Sequence, residues 1–338
     1  MQRILYPHKG GLDVFRFEEV DDLQPGPGEV RIAVEASGIN FADLMARMGN
    51  YPDAPPFPFV VGYEVAGTID AVGEGVDPAR IGQAVLGMCR FGGYASQVVL
   101  PALQAVPRPE GMDAVTGAAV PVVYLTAWMM TEVFGRVREG DRVLVHSAGG
   151  GVGLAALDLL RWRGAVAIGT ASASKHEFLR ERGYDELVDY RSKDFAQELE
   201  GRGLDLILDP LGGETWAKGL GLLRAGGRLV CFGFAAGSPG KTGSMLAQVK
   251  TAWQVPWLKV NPIWLMNHNV GVMSVNMGHM WDEGERVVGW LGEVVALWEK
   301  GVVRPKVHAA VPWREVAEGH RMLHDRENLG KVILTWGE

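Results

Sequence analysis

The stretch from Arg142 to Gly153 limits the possible fold more than any other part of the chain. An apolar run, Val143-Leu144-Val145, passes through His146 and Ser147 into Ala148-Gly149-Gly150-Gly151-Val152-Gly153, and a helical pattern over 152–163 ends at Gly164. Strand, glycine turn and helix in that order make the first turn of a dinucleotide-binding βαβ unit, here with alanine in place of the first glycine. Gly150 lets the main chain approach a pyrophosphate, and Gly153 lets helix pack closely on strand. The free amides and positive dipole end at the helix start then attract phosphate. A glycine motif alone says little; its place between an apolar strand and a helix gives it meaning.

The next strand, 166–170, bears on which nicotinamide cofactor binds. An NAD site usually carries an acid about 20 residues after the turn, at the end of this strand. Here the chain reads Ala171-Ser172-Ala173-Ser174-Lys175, without an acid. Small hydroxyls and a lysine suit a 2′-phosphate through charge-assisted hydrogen bonds. Tyr190, after the third strand, adds a hydroxyl. The cofactor predicted is NADPH, held by Ala148 to Gly153 together with Ser172, Lys175 and Tyr190. A second phosphate-loop lookalike, Ser238-Pro239-Gly240-Lys241-Thr242, has Ala235 where the first glycine is required, and reads as a surface loop.

Around this unit the chain changes character twice. Its first 120 or so residues hold short strand-like segments (30–36, 63–72 and 95–100) punctuated by Gly and Pro, the pattern of a compact β-barrel-like domain. After Pro121, strands at 142–147, 166–170, 187–190, 204–209 and 228–233 alternate with helical stretches, which predicts a parallel sheet covered on both faces. Past about Met277 come an amphipathic helix, an extended segment at 307–311, a second helix and a terminal strand at 331–335. That tail is suited to completing the first domain.

Composition narrows the function classes. A net charge of −7 argues against a general nucleic-acid binder. No uninterrupted apolar run approaches the roughly 20 residues of a membrane helix, and the N-terminal residues lack the apolar core of a signal peptide. A soluble, cytoplasmic protein is the expectation. Two cysteines, Cys89 and Cys231, are too few for a disulfide framework or a multi-cysteine zinc lobe.

Several segments together resemble the medium-chain dehydrogenase/reductase superfamily over essentially the whole chain, and most of all its zinc-free quinone oxidoreductases and vesicle amine transport protein homologues. They are Ser37-Gly38-Ile39-Asn40-Phe41-Ala42-Asp43, Gly62-Tyr63-Glu64-Val65-Ala66-Gly67, Leu125-Thr126-Ala127-Trp128, the run from Val145 to Gly153, Gly169-Thr170-Ala171-Ser172 with Lys175-His176-Glu177, and Lys259-Val260-Asn261-Pro262. The resemblance implies an α/β protein: a Rossmann-type doubly wound parallel sheet at 124–275, and a GroES-like β-rich catalytic domain built from both chain ends, 1–123 and 276–338. It also implies a substrate cleft between the two, and a homodimer paired along a strand near 270–275.

By motif alignment, the catalytic zinc ligands of the metal-dependent relatives fall here on Asn40, Tyr63 and approximately Val122. An amide, a phenol and an aliphatic side chain cannot make the nitrogen and sulfur site that zinc prefers, so no metal is expected there. His320 and His324 have helix-face spacing but no third ligand, and His146 reads as a packed or hydrogen-bonded histidine. Without a Lewis acid, oxidation of an alcohol is hard, whereas a polarised C=C bond accepts hydride and then a proton. Gly49-Asn50-Tyr51 resembles the enoyl-thioester reductases, in which the tyrosine is a proposed proton donor. The resemblance further implies that Asn40 and Asp43 orient the nicotinamide or neighbouring side chains, that Thr126 holds the carboxamide, and that Tyr63 lines the pocket. Trp253, Trp257, Trp264 and Met266 form either an apolar substrate wall or an interface, and Lys250 and Lys259 can meet coenzyme A phosphates. Three functions compete: reduction of quinones or enones, reduction of a short enoyl-CoA, and a cofactor-binding adaptor with little catalysis.

Overall fold

The computed structural model describes residues 1–234 and 261–337. Trp253, Trp257, Lys250, Lys259 and the lookalike loop at 238–242 therefore lie outside the described residues. Contacts divide the chain into one unit of Met1–Leu125 with Met277–Glu338, and another of Thr126–Asn276.

Fifteen strands follow one another along the described chain. They are β1 (Gln2–Leu5), β2 (Arg16–Glu19), β3 (Glu29–Ile39), β4 (Glu64–Val72), β5 (Ala84–Met88), β6 (Gln97–Pro101), β7 (Ala105–Pro107), β8 (Arg142–Val145), β9 (Val166–Ala171), β10 (Glu186–Asp189), β11 (Leu204–Asp209), β12 (Leu223–Cys231), β13 (Gly271–Ser274), β14 (Val307–Pro312) and β15 (Lys331–Thr335).

The first unit is a seven-stranded sheet in the order β14-β15-β3-β4-β5-β7, with β6 on β3, beside a β1-β2 ribbon. Only the β14–β15 pair is parallel. β3 alternates between buried and partly exposed residues over its first half, as expected where one face packs on a core, and is wholly buried from Ala36 to Ile39. The last strand joins the first unit by pairing Val332 with Ile39 and Leu334 with Ser37. This pairing brings the two chain ends together around a core that includes Ile4, Ile32, Leu44, Val65, Val316 and Leu334.

The second unit is a fully parallel sheet in the order β10-β9-β8-β11-β12-β13, with helices in its crossovers. Val143, Leu144, Val145 and all of β11 are buried, the continuous apolar pattern of a strand covered on both faces. Strand order reverses between β8 and β11, which makes the carboxyl ends of those two strands the topological switch point where such sheets bind ligands. Helix Gly151–Trp162 follows β8 and buries Leu154, Leu157, Leu159 and Leu160. Helix His176–Arg182 follows β9 and stops at Gly183, whose φ of 117° few other residues adopt. β13 forms one edge of the sheet.

One helical run among the described residues comes near membrane length. The helical run Ala114–Gly135, 22 residues, holds an 18-residue window with mean hydropathy 1.4 that is long and apolar enough by length and composition, although 67% of that window is buried inside the structure. Thr116, Thr126, Thr131 and Glu132 interrupt it, so it does not read as an unbroken apolar stretch.

Candidate active site

In the second unit the glycine turn lies at the switch point. Ser147 takes φ 57°, a left-handed conformation that costs a non-glycine residue on the order of 1 kcal/mol and occurs at functional turns. The Ala148 amide donates to the Thr170 carbonyl and the Gly150 amide to that of Ser147, tying the turn to the end of β9. A methyl on Gly153 would sit 2.6 Å from the Ala148 and Ser147 carbonyl oxygens, so helix and turn touch there only because the residue is glycine. Among the described residues, a methyl on Gly150 would meet only the Ser147 oxygen, at 3.3 Å. A side chain at Gly150 would need only a small adjustment of the turn, so packing within the fold constrains Gly150 far less than Gly153. Helix Gly151–Trp162 has no side-chain cap, and its first amides are left for an anion. These features fit a dinucleotide pyrophosphate.

Beside the turn, Ser172 is buried at the end of β9, with its hydroxyl 3.2 Å from that of Ser174. Lys175 is half-buried just before helix His176–Arg182. The register Asp189–Ala171 puts Tyr190, which is exposed, at the neighbouring strand end. Ser172, Lys175 and Tyr190 thus share one end of the sheet, and no acid closes β9. His146 is fully buried, its Nδ1 3.0 Å from the Thr170 hydroxyl. Its Nε2 and Asp209 Oδ2 lie 4.0 Å apart and neither has a hydrogen-bond partner. Burial holds the imidazole below its usual pKa, against the pull of Asp209. Thr126 is buried in helix Pro121–Trp128. Trp264 stacks on His268 at 4.0 Å, while Met266 is exposed.

The first unit holds a buried polar cluster. Asn40 caps helix Phe41–Arg47, and its own amide N–H donates to Asp43 Oδ2 at 2.8 Å. Its side chain is committed at both ends: Nδ2 donates to Glu64 Oε1 at 2.8 Å, and Oδ1 accepts from Lys331 Nζ at 2.8 Å. Lys331 also donates to Glu64 Oε1 at 2.6 Å and to the Ile39 carbonyl at 2.9 Å, while Glu64 Oε2 accepts from the Val122 amide. All three ammonium protons are used, as burial of such a charge requires. Asp43 accepts from the Tyr94 hydroxyl at 2.9 Å, and its Oδ1 is buried without a partner. Burial pushes its carboxyl up to about 7 against the hydrogen bonds from Asn40 and Tyr94. His320 Nε2 lies 3.2 Å from the Tyr94 hydroxyl and 3.4 Å from that of Tyr6. His324 instead faces Asp325, so the two histidines do not converge.

Tyr51 and Tyr63 meet edge to face at 6.2 Å, and Phe91 packs on Tyr63 at 5.2 Å. The two hydroxyls influence each other's ionisation, but their geometry falls short of a hydrogen bond, and Tyr63's is buried and unpartnered. Burial, with Asp53 next, raises the Tyr51 phenol; burial, with Asp43 next, raises that of Tyr63. Both stay protonated donors at neutral pH. The positions aligned with zinc ligands therefore carry a doubly bonded amide, a phenol and Val122, with the nearby carboxylate already held by Lys331. This donor set does not fit zinc. Among the described residues no group of three or more His, Cys, Asp or Glu side chains is placed to hold a metal ion.

Sequence reasoning missed Glu64, Lys331 and Tyr94, and weighed His320 only as a metal ligand. The legible signal was a charge of each sign in otherwise apolar strands, in Tyr63-Glu64-Val65 and Lys331-Val332-Ile333-Leu334.

Comparison with known proteins identifies the family. Residues 26–110 match the alcohol dehydrogenase GroES-like domain, and residues 182–334 match a zinc-binding dehydrogenase family. The chain belongs to the medium-chain dehydrogenase/reductase superfamily and is an oxidoreductase of that type. Within it, the chain is 39% identical over 334 residues to the rat synaptic vesicle membrane protein VAT-1 homolog, covering 97% of this chain and 82% of that one. Among solved structures it is similar to the Escherichia coli quinone oxidoreductase complexed with NADPH, with TM-score 0.86, 26% identity, and 99% of this chain and 100% of that one covered. It is also similar to the CurK enoyl reductase, with TM-score 0.83, 27% identity, and 99% and 98% covered.

Proposed function

We propose that the chain is an NADPH-dependent, metal-independent reductase of an activated C=C bond in a quinone or enone. The observation that carries this reading is the uncapped helix start behind Gly150, beside a strand end that offers Ser172 and Lys175 and no acid. Bound there, NADPH supplies a hydride. The amides of the turn and helix hold the pyrophosphate, and Ser172, Lys175 and Tyr190 take the 2′-phosphate. Thr126 holds the carboxamide. In the first unit Tyr51 donates the proton that completes the reduction. Asn40 and Asp43 act by positioning: Asn40 ties the helix start to Lys331 and Glu64, and Asp43 ties it to Tyr94.

A second reading, reduction of a short enoyl-CoA, is supported by the likeness to the CurK enoyl reductase. It changes the acceptor and keeps the same residues.

The test follows nicotinamide absorbance with quinones, enones and enoyl-CoA esters, with NADPH and NADH, with and without a chelator. The expected outcome is turnover that prefers NADPH and ignores the chelator. Lys175→Ala should narrow the preference by about tenfold, the worth of one charge-assisted contact. Equal use of NADH by the parent contradicts the cofactor assignment. Turnover of enoyl-CoA alone selects the second reading. Tight NADPH binding with no acceptor reduced leaves the adaptor function standing instead.

A further inference from the structure

The Tyr63 hydroxyl is a buried polar group without a partner, on a residue only 7% exposed. Its ring is held between Tyr51 and Phe91. Phenylalanine would fill the same space without a buried hydroxyl that lacks a well-formed hydrogen bond. A buried donor retained at a stability cost points to a partner that appears only during function.

The neighbourhood identifies that partner. The groups that bear on Tyr51 are Asp53 on its own loop, Asp43 on helix Phe41–Arg47, and Tyr63 just before β4. Asp53 is paired with His279 at 2.9 Å, and Asp43 Oδ2 is held by Asn40 and Tyr94. When Tyr51 gives up its proton, the negative charge left on its oxygen is half-buried and close to two carboxyl groups. Tyr63, in ring contact with it, carries an O–H bonded to nothing else.

Resting on the reading of Tyr51 as proton donor, we infer that Tyr63 is its positioning residue: the Tyr63 hydroxyl donates a hydrogen bond to the Tyr51 phenolate as it forms. The Tyr51 O–H bond breaks, its proton goes to the anion created when hydride adds to the acceptor, and its electron pair stays on the Tyr51 oxygen. Tyr63 keeps its own proton throughout. A proton from water then restores Tyr51, so acceptor, NADPH and one proton give reduced product and NADP+. Loss of this hydrogen bond makes the phenolate harder to form. It should therefore move the alkaline limb of the rate profile, where Tyr51 ionises, to higher pH.

The experiment is a double-mutant cycle on the full chain, with Tyr63→Phe, Tyr51→Phe and both together, using an acceptor that the parent reduces. Tyr63→Phe should fold with an unlowered melting temperature, bind NADPH as the parent does, lose about tenfold in kcat, and shift the alkaline limb upward. In the Tyr51→Phe background the same change should cost nothing further. An equal loss in both backgrounds, or no loss in either, overturns the inference. If Tyr63→Phe does not fold, Tyr63→Met tests the same non-additivity. Tyr51→Phe at full rate removes the donor role itself and this inference with it. Tyr51→Phe slow with Tyr63→Phe at full rate removes only the inference.

Discussion

Asp43 shows how one side chain links the fold to its chemistry. It is fully buried, accepts hydrogen bonds from Asn40 and Tyr94, feels Lys331 and Glu64 nearby, and has one oxygen without a partner. Its carboxyl is pushed up from 3.8 to about 7, chiefly by burial. In the unfolded chain it ionises near its ordinary value, so between those limits the folded state binds more protons. Stability from this group is therefore present at low pH and lost as pH rises to about 7, by up to ~4 kcal/mol. Asp43→Asn keeps an oxygen to accept both hydrogen bonds and removes the charge. The stability of the variant relative to the parent should rise from pH 5 to pH 8 and then level off, as read by urea unfolding across that range. A constant difference would contradict the burial account. The Asp43 residue was legible in Asn40-Phe41-Ala42-Asp43, but its partners were not. Tyr94 lies 51 residues away, and Lys331 lies 267 residues from Glu64. Pairings at that separation are set by which strands become neighbours, and local pattern does not carry that information.

The glycine turn is the element on which the cofactor reading depends, and its two key glycines fail differently. Gly153→Ala puts a methyl 2.6 Å from two main-chain oxygens, which must push the helix off the turn at about 1–3 kcal/mol. Gly150→Ala meets only one oxygen at 3.3 Å and should leave stability within about 1 kcal/mol while obstructing the pyrophosphate. The expected result is a melting temperature lowered in Gly153→Ala alone, with NADPH binding weakened at least tenfold in both, measured by thermal unfolding and titration. Unchanged NADPH affinity in Gly150→Ala would place the phosphates elsewhere. This element was the most legible in the chain, because strand, turn and helix are contiguous and each carries its own signal: three buried aliphatics, a glycine run, and a helix stopped at Gly164. The strand ends were less so. The segment at 228–233 was read short, since Leu223 to Gly227 includes two glycines and exposed residues, yet β12 begins at Leu223. Pairing of Leu204 with Leu223 holds that start in the sheet where propensity alone does not.

At the scale of the whole molecule, two sheets with different rules come from one chain. The parallel sheet was readable from alternating strands and helices. The first unit was harder, because β15 closes on β3 only after the chain has passed through the entire second unit. The change of pattern near Met277 announced the return of the tail, and the register of β15 on β3 came from structure. The chemistry of the chain also emerges at this scale. Of the positions aligned with zinc ligands, Asn40 is tied to Glu64 and Lys331, Val122 is aliphatic, and Tyr63 is a protonated phenol packed against that of Tyr51. On the proposed function, hydride goes to carbon of a C=C bond without a metal. This is tested most directly by reducing a simple enone with NADPH carrying deuterium at the transferred position, in the presence of a chelator, and locating the label by NMR. The expected product is a saturated ketone with one deuterium on the carbon β to an intact carbonyl. Deuterium on the carbinol carbon of an allylic alcohol, or turnover abolished by the chelator, would contradict it.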